Sequence, residues 1–130
     1  MIRIYIWYDQ HSGRFCVLAD GHAGAAPAGQ DIVCAGVSIL LDTMAEAMYR
    51  GQDGGWMTVH TIQRASGMYR LEGQCRKRAD GMDGPTVLQT VVTGLTLMQA
   101  AHPEAVALDV RVTNKGFYPD GEIIDMGSPT

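Results

Sequence analysis

The chain opens on strict alternation. In MIRIYIWY, Ile2, Ile4 and Ile6 fall on one side and Arg3, Tyr5 and Trp7 on the other, the period-two pattern of a half-buried strand. Residues 9–13 supply turn chemistry, and RFCVLA (14–19) reads as the returning strand of a hairpin. Residues 20–30 are mostly glycine and alanine and include Pro27, which predicts a loop. From Asp31 the period lengthens: Val33, Val37, Leu40, Leu41, Met44 and Met48 recur at helical spacing, predicting a helix over residues 31 to about 51, broken by QDGG (52–55). WMTVHTIQ and MYRLEGQC predict a second hairpin, joined through residues 64–67. After a charged, glycine-rich connection, Pro85 suits the first turn of a second helix. That helix carries Leu88, Val91, Val92, Leu95, Leu97 and Met98 and stops before Pro103. AVALDVRV (105–112) is a last strand. The predicted order is ββαββαβ, a single α+β domain over residues 1–112 with a mostly antiparallel sheet and two main helices. Residues 113–130 show little periodicity and are expected to form a poorly ordered C-terminal tail.

Composition narrows the class. The 130 residues are 46% hydrophobic and 18% charged, ordinary for a globular chain and too apolar for disorder. The net charge of −4, with only ten Lys and Arg, argues against nucleic acid as the main partner. The one basic cluster, Arg76-Lys77-Arg78, reads as a solvated loop. The N-terminus lacks the basic stretch and apolar run of a signal peptide. Residues 32–41, the longest mostly apolar stretch, fall far short of the ~20 that span a membrane. Cys16, Cys34 and Cys75 are odd in number and form no Cys-x-x-Cys, so a disulfide framework or a structural zinc site is not expected. The expected setting is cytoplasmic, with reduced thiols.

The chemistry gathers in GHAGAAPAGQDIVCAGVS, residues 21–38. A helix beginning at Asp31 places Cys34 in its first turn, where unpaired N–H groups and the helix dipole favour a thiolate. Asp31 is a good N-cap. His22, in the loop leading to that helix, is within reach of the sulfur as a general base. The small residues between them leave room for a substrate backbone and let the loop move. Ser38 lies one helical turn beyond Cys34 on the same face. Gly36 costs about 1 kcal/mol of helix propensity relative to alanine, a cost that close packing against it explains. Spacing alone also allows a small buried cysteine beside an exposed histidine, whereas His22 and Cys34 give only two of the three ligands a zinc ion wants.

Taken together, Gly21-His22-Ala23, Gly29, Asp31-Ile32-Val33-Cys34-Ala35 and Ser38 resemble the motif of the ribosomal-processing cysteine protease family (Prp) of Gram-positive and related bacteria. A weaker likeness in element order runs over residues 1 to 112. The resemblance implies a cysteine–histidine dyad that removes a short N-terminal extension from a ribosomal large-subunit protein, with Cys34 as nucleophile and His22 as base. It implies that Asp31 caps the helix, orients His22, or both, with Ser38 in support. It further implies that a loop containing Gly21, Ala23, Gly24, Ala25, Ala26, Pro27 and Gly29 closes over the substrate peptide, that the protein is a homodimer, and that neither metal nor organic cofactor is needed. The long tail and the roomy 75–84 connection leave other substrates open, such as phage capsid or scaffold proteins. A non-catalytic peptide-binding module and a thiol-based regulator of the same fold are the other readings. His11, His60, His102, Cys16, Cys75, Trp7, Trp56 and Tyr69 are expected to be structural.

Overall fold

The alternation in the first strand sets the layers of the fold. The computed structural model describes residues 1–21, 28–65, 67–76 and 84–114, with side chains for all of these but 28–31. The elements follow the predicted order: β1 (Ile2–Asp9), β2 (Arg14–Asp20), α1 (Ala28–Gly54), β3 (Met57–Ala65), β4 (Met68–Cys75), α2 (Gly84–Ala101) and β5 (Val106–Thr113). The strands form one sheet in the order β3-β4-β2-β1-β5. Every pairing is antiparallel except β1 with β5, which is parallel.

Register carries one set of side chains across the sheet in rows. Ile6, Val17, Leu71 and Ile62 are paired in sequence from β1 to β3, as are Ile4, Ala19, Tyr69 and Arg64. The apolar members of these rows share one core with Val33, Val37, Leu41, Met44 and Met48 of α1 and Leu88, Val91 and Leu95 of α2, so both helices cover the same face. The helices interlock through small residues. The methyl of Met98 stands 3.0 Å from where a Cβ on Gly36 would lie, and Leu40 stands 2.9 Å from the equivalent point on Gly94. The close packing expected at Gly36 is therefore present, and it comes from α2.

The other sheet face carries a second small core of Trp7, Cys16 and Leu18 with Tyr5 against it. β1 is thus buried on both faces around Trp7, more deeply than the half-buried pattern predicted, because it is an inner strand. Asp9, fully buried, ends β1: it accepts hydrogen bonds from the N–H of Ser12 (2.8 Å) and the hydroxyl of Thr113 (2.9 Å).

Three boundaries differ from the sequence reading. Helix α1 begins at Ala28 rather than Asp31, because Ala28 and Gln30 are strong helix formers and one glycine between them does not outweigh them. It also runs through Gln52 and stops only at Gly54. There Gly55 takes φ +83°, its N–H donates to Gln52 O (3.2 Å), and that of Trp56 donates to Gly51 O (2.9 Å). These are the two hydrogen bonds of a Schellman cap. Thr113, assigned to the tail, is the last residue of β5, held there by pairing with Asp9; beyond Asn114 the tail, 115–130, lies outside the described residues. Within α1, Ile32–Gly54 is long and apolar enough to cross a membrane by length and composition, well beyond residues 32–41. Its buried stripe lies on the sheet, as a core helix's does.

Gly73, in β4, has no room for a side chain: an added Cβ would stand 2.4 Å from the Thr58 carbonyl oxygen and 3.0 Å from the Phe15 ring. Gly73→Ala is expected to lose about 2–3 kcal/mol of stability in urea titration. Gly36→Ala, which meets only the flexible end of Met98, is expected to stay within about 0.5 kcal/mol, helix propensity offsetting the crowding.

Candidate active site

Helix α1 lies over the end of the sheet where β1 begins and β2 stops. Its first half presents Cys34, Val37, Ser38, Leu41 and Asp42, residues at helical spacing that make a single stripe, to a cavity of about 450 Å³. Ile2, Ala19, Gly21 and the β3–β4 hairpin form the opposite wall. Cys34 is half-buried and packs against the main core, whereas Cys16 and Cys75 are buried. Ser38 stands in this wall one turn beyond Cys34, where its spacing placed it.

Gly21 shows why glycine is needed at the end of β2. Its φ is +87°, and a Cβ would stand 2.3 Å from the carbonyl oxygen of Met1. Its N–H donates to Gly67 O (2.9 Å), which ties the end of β2 to the β3–β4 turn. The chain therefore leaves β2 in a fixed direction beside the cavity that Cys34 lines. His22, the next residue, and Ala23, Gly24, Ala25, Ala26 and Pro27 lie outside the described residues.

The early start of α1 changes two expectations. Asp31 is the fourth residue of the helix and not its N-cap, and Gly29 belongs to the first turn rather than to a loop. Cys34 is the seventh residue. Its N–H lies within the i→i−4 ladder, so Cys34 does not occupy the first-turn position expected of it.

The structure adds residues to the site that the sequence did not single out. Asp42 and Arg64 join the two walls through an ion pair of 3.2 Å between Nη1 and Oδ1, both side chains nearly half exposed (47% and 41%). Asp42 was within reach of sequence reading, since residues 34, 38 and 42 fall four apart on one helix face. Arg64 was not, because only the β3–β4 register puts it on the helix side. Its hydrogen bond to Asp42 raises its pKa above the usual arginine value. Tyr69 is core, as expected, and also forms part of the cavity. Its phenol donates to the Leu41 carbonyl (2.8 Å), and burial pushes its pKa well above the ordinary tyrosine range, with nearby Arg64 partly opposing.

The remaining candidates stay apart. His60 is exposed at a β-bulge between Val59 and Thr61. The backbone N–H of His102 donates to Met98 O (2.9 Å), and its ring lies 3.8 Å from Glu104. Among the described residues, no three His, Cys, Asp or Glu side chains gather as metal ligands.

Comparison with known proteins follows this geometry. The family described as cysteine protease Prp matches residues 1–107. No curated protein matches. Among solved structures, the essential ribosomal processing protease Prp from S. aureus, in complex with a covalently linked product peptide, is 24% identical over 85% of this chain and 99% of its own, with a TM-score of 0.62. A second S. aureus structure, with a substrate peptide, gives the same identity, coverage and TM-score. SMU.848 from Streptococcus mutans is 24% identical over 87% of this chain and 96% of its own, with a TM-score of 0.64. At this identity the structural likeness is one of fold.

Two outcomes follow from the site's geometry. In the folded protein, iodoacetamide should label Cys34 at least about tenfold faster than Cys16 or Cys75, read by peptide mass spectrometry, because the latter two react only on opening. Tyr69→Phe should cost about 1 kcal/mol at neutral pH. Because folding raises the Tyr69 pKa above the unfolded value of 10.0, its contribution is complete below pH 10 and lost as pH rises past it. The variant should therefore show a shallower alkaline loss of stability, measured by denaturant titration between neutral pH and pH 11.

Proposed function

The chain belongs to the cysteine protease Prp family, and on that premise we propose that it is a cysteine endopeptidase removing a short N-terminal extension from a ribosomal large-subunit protein. One observation carries the reading: the half-buried Cys34 lines a cavity whose other wall includes Gly21, the chain neighbour of His22. The cavity of about 450 Å³ includes Ile2, Val37, Leu41 and Met68 in its lining, apolar side chains that suit a hydrophobic substrate stretch. The S. aureus protease of the same fold is described with a substrate peptide and with a covalently linked product peptide, which supports a peptide in this groove.

In this mechanism His22 takes the proton from Cys34, and the thiolate attacks the scissile carbonyl carbon. Collapse of the tetrahedral adduct breaks the C–N bond; His22 returns the proton to the leaving amine, and a thioester remains. His22 then removes a proton from water, hydroxide adds to the thioester, and the carboxylate product leaves with the thiol restored. Thiol, imidazole and water suffice. The reading further includes Asp31, the fourth residue of α1, as the residue that orients His22. The reading includes a cytoplasmic homodimer, expected to sediment at twice the chain mass.

A peptide copied from the N-terminus of the host's ribosomal protein should be cut once by the wild-type chain, as read by mass spectrometry. Cys34→Ala should lose about 10³-fold or more, and His22→Ala about 10²-fold or more. Cutting by Cys34→Ala at the wild-type rate would overturn the assignment.

A further inference from the structure

We propose that Asp42 and Arg64 grip the main chain of the substrate peptide three to four residues from the scissile bond, Arg64 donating to a peptide carbonyl and Asp42 accepting from a peptide N–H. The inference rests on the peptide-cleaving reading above and adds positioning residues to it. Asp42 lies eight residues beyond Cys34 on the same stripe of α1, so about 12 Å separates them along the helix axis. An extended peptide advances ~3.3 Å per residue, which sets the interval at three to four residues.

The geometry of the pair fits a peptide group better than a charged side chain. Arg64 reaches Asp42 through a single contact, Nη1 to Oδ1 at 3.2 Å, rather than a two-pronged fork. A guanidinium carries five N–H donors and a carboxylate two acceptor oxygens, so most of this capacity stays available in the cavity. The pair therefore shows donor and acceptor side by side, and an extended backbone presents the complementary carbonyl and N–H. A charged substrate side chain would be attracted by one partner and repelled by the other. The pair also costs the fold little to use. Both groups are nearly half exposed, and exposed ion pairs contribute about 0–1 kcal/mol, so the grip can exchange partners on binding without unsettling α1 or β3.

The test uses the full chain carrying Cys34→Ala, which holds peptide without turning it over, and a set of fluorescent copies of the peptide named above, each with one backbone amide N-methylated. Anisotropy titration should show one position, three or four residues from the cleaved bond, where N-methylation weakens binding about tenfold. Asp42→Ala in that background should remove most of this selective loss while leaving the effect of N-methylation elsewhere unchanged, whereas Arg64→Met, which deletes the donor to the carbonyl, should weaken the unmethylated peptide several-fold and leave the selective loss in place. A flat scan, a sensitive position that Asp42→Ala does not alter, undiminished binding of the unmethylated peptide by Arg64→Met, sensitivity that instead follows the charge of the side chain there, or failure of the peptide to bind would each overturn the inference. Cleavage by the chain with Cys34 intact separates the two readings. A peptide bound with the expected scan but left uncut sinks the protease and keeps the grip, and a peptide that is cut with a flat scan does the reverse.

Discussion

The buried hydrogen bond from the phenol of Tyr69 to the carbonyl of Leu41 fixes how α1 lies along the sheet, and two exposed contacts, Arg64 to Asp42 and the Val59 N–H to Gln52 Oε1, tie the same helix to β3. Apolar packing holds the helix against the strands but is non-directional, and a stripe of Val, Leu and Met can slide by a turn with modest loss. A hydrogen bond inside that core does not allow such a shift, because an unpaired buried phenol is costly. Tyr69 itself is fixed by its row, between Ala19 and Arg64. With Leu41 pinned there, Cys34 falls seven residues, or about 10 Å, toward the end of the sheet, where β2 gives way to Gly21. The site is a consequence of that alignment.

The division of labour across the molecule follows. Rows led by Ile4 and Ile6, with the interlock of Gly36 against Met98 and Leu40 against Gly94, supply the packing. The cavity occupies the margin of this core, where strands end and the chain turns. Its floor is apolar and rigid, its rim polar. Gly21 serves both parts, since the backbone of Met1 beneath it leaves no room for any side chain and holds the exit from β2 in one direction.

Much of this was legible because it is local. Period two and period 3.6 separated the strands from the helices, the stripe through Cys34 and Ser38 followed from spacing, and Gly36 signalled a close contact. The start of α1 was not legible. Pro27 and Gly29 read as loop, yet the helix propensity of Ala28 and Gln30 prevailed over a single glycine. Nor was Arg64, which a sequence reading assigns to a turn. Its place beside Asp42 depends on the pairing of β2 with β4, a strand 48 residues or more away in the chain, and on a bulge at His60 that shifts the β3 register. Trp7 reads as one side of a half-exposed strand until the sheet order makes β1 an inner strand.

The parallel pairing of β1 with β5 has a consequence for synthesis. Residues 2–9 emerge from the ribosome well before their partner, residues 106–113, which is among the last described segments to appear. Until then the hairpin of β1 and β2 can close on one side only, with the row of backbone donors and acceptors on the other side of β1 open beside Ile2, Ile4, Ile6 and Trp7. Such an edge is ready to pair with any extended chain nearby. The sheet cannot close on that side until nearly all of the described length is out, so the first strand stays open to mispairing through most of synthesis.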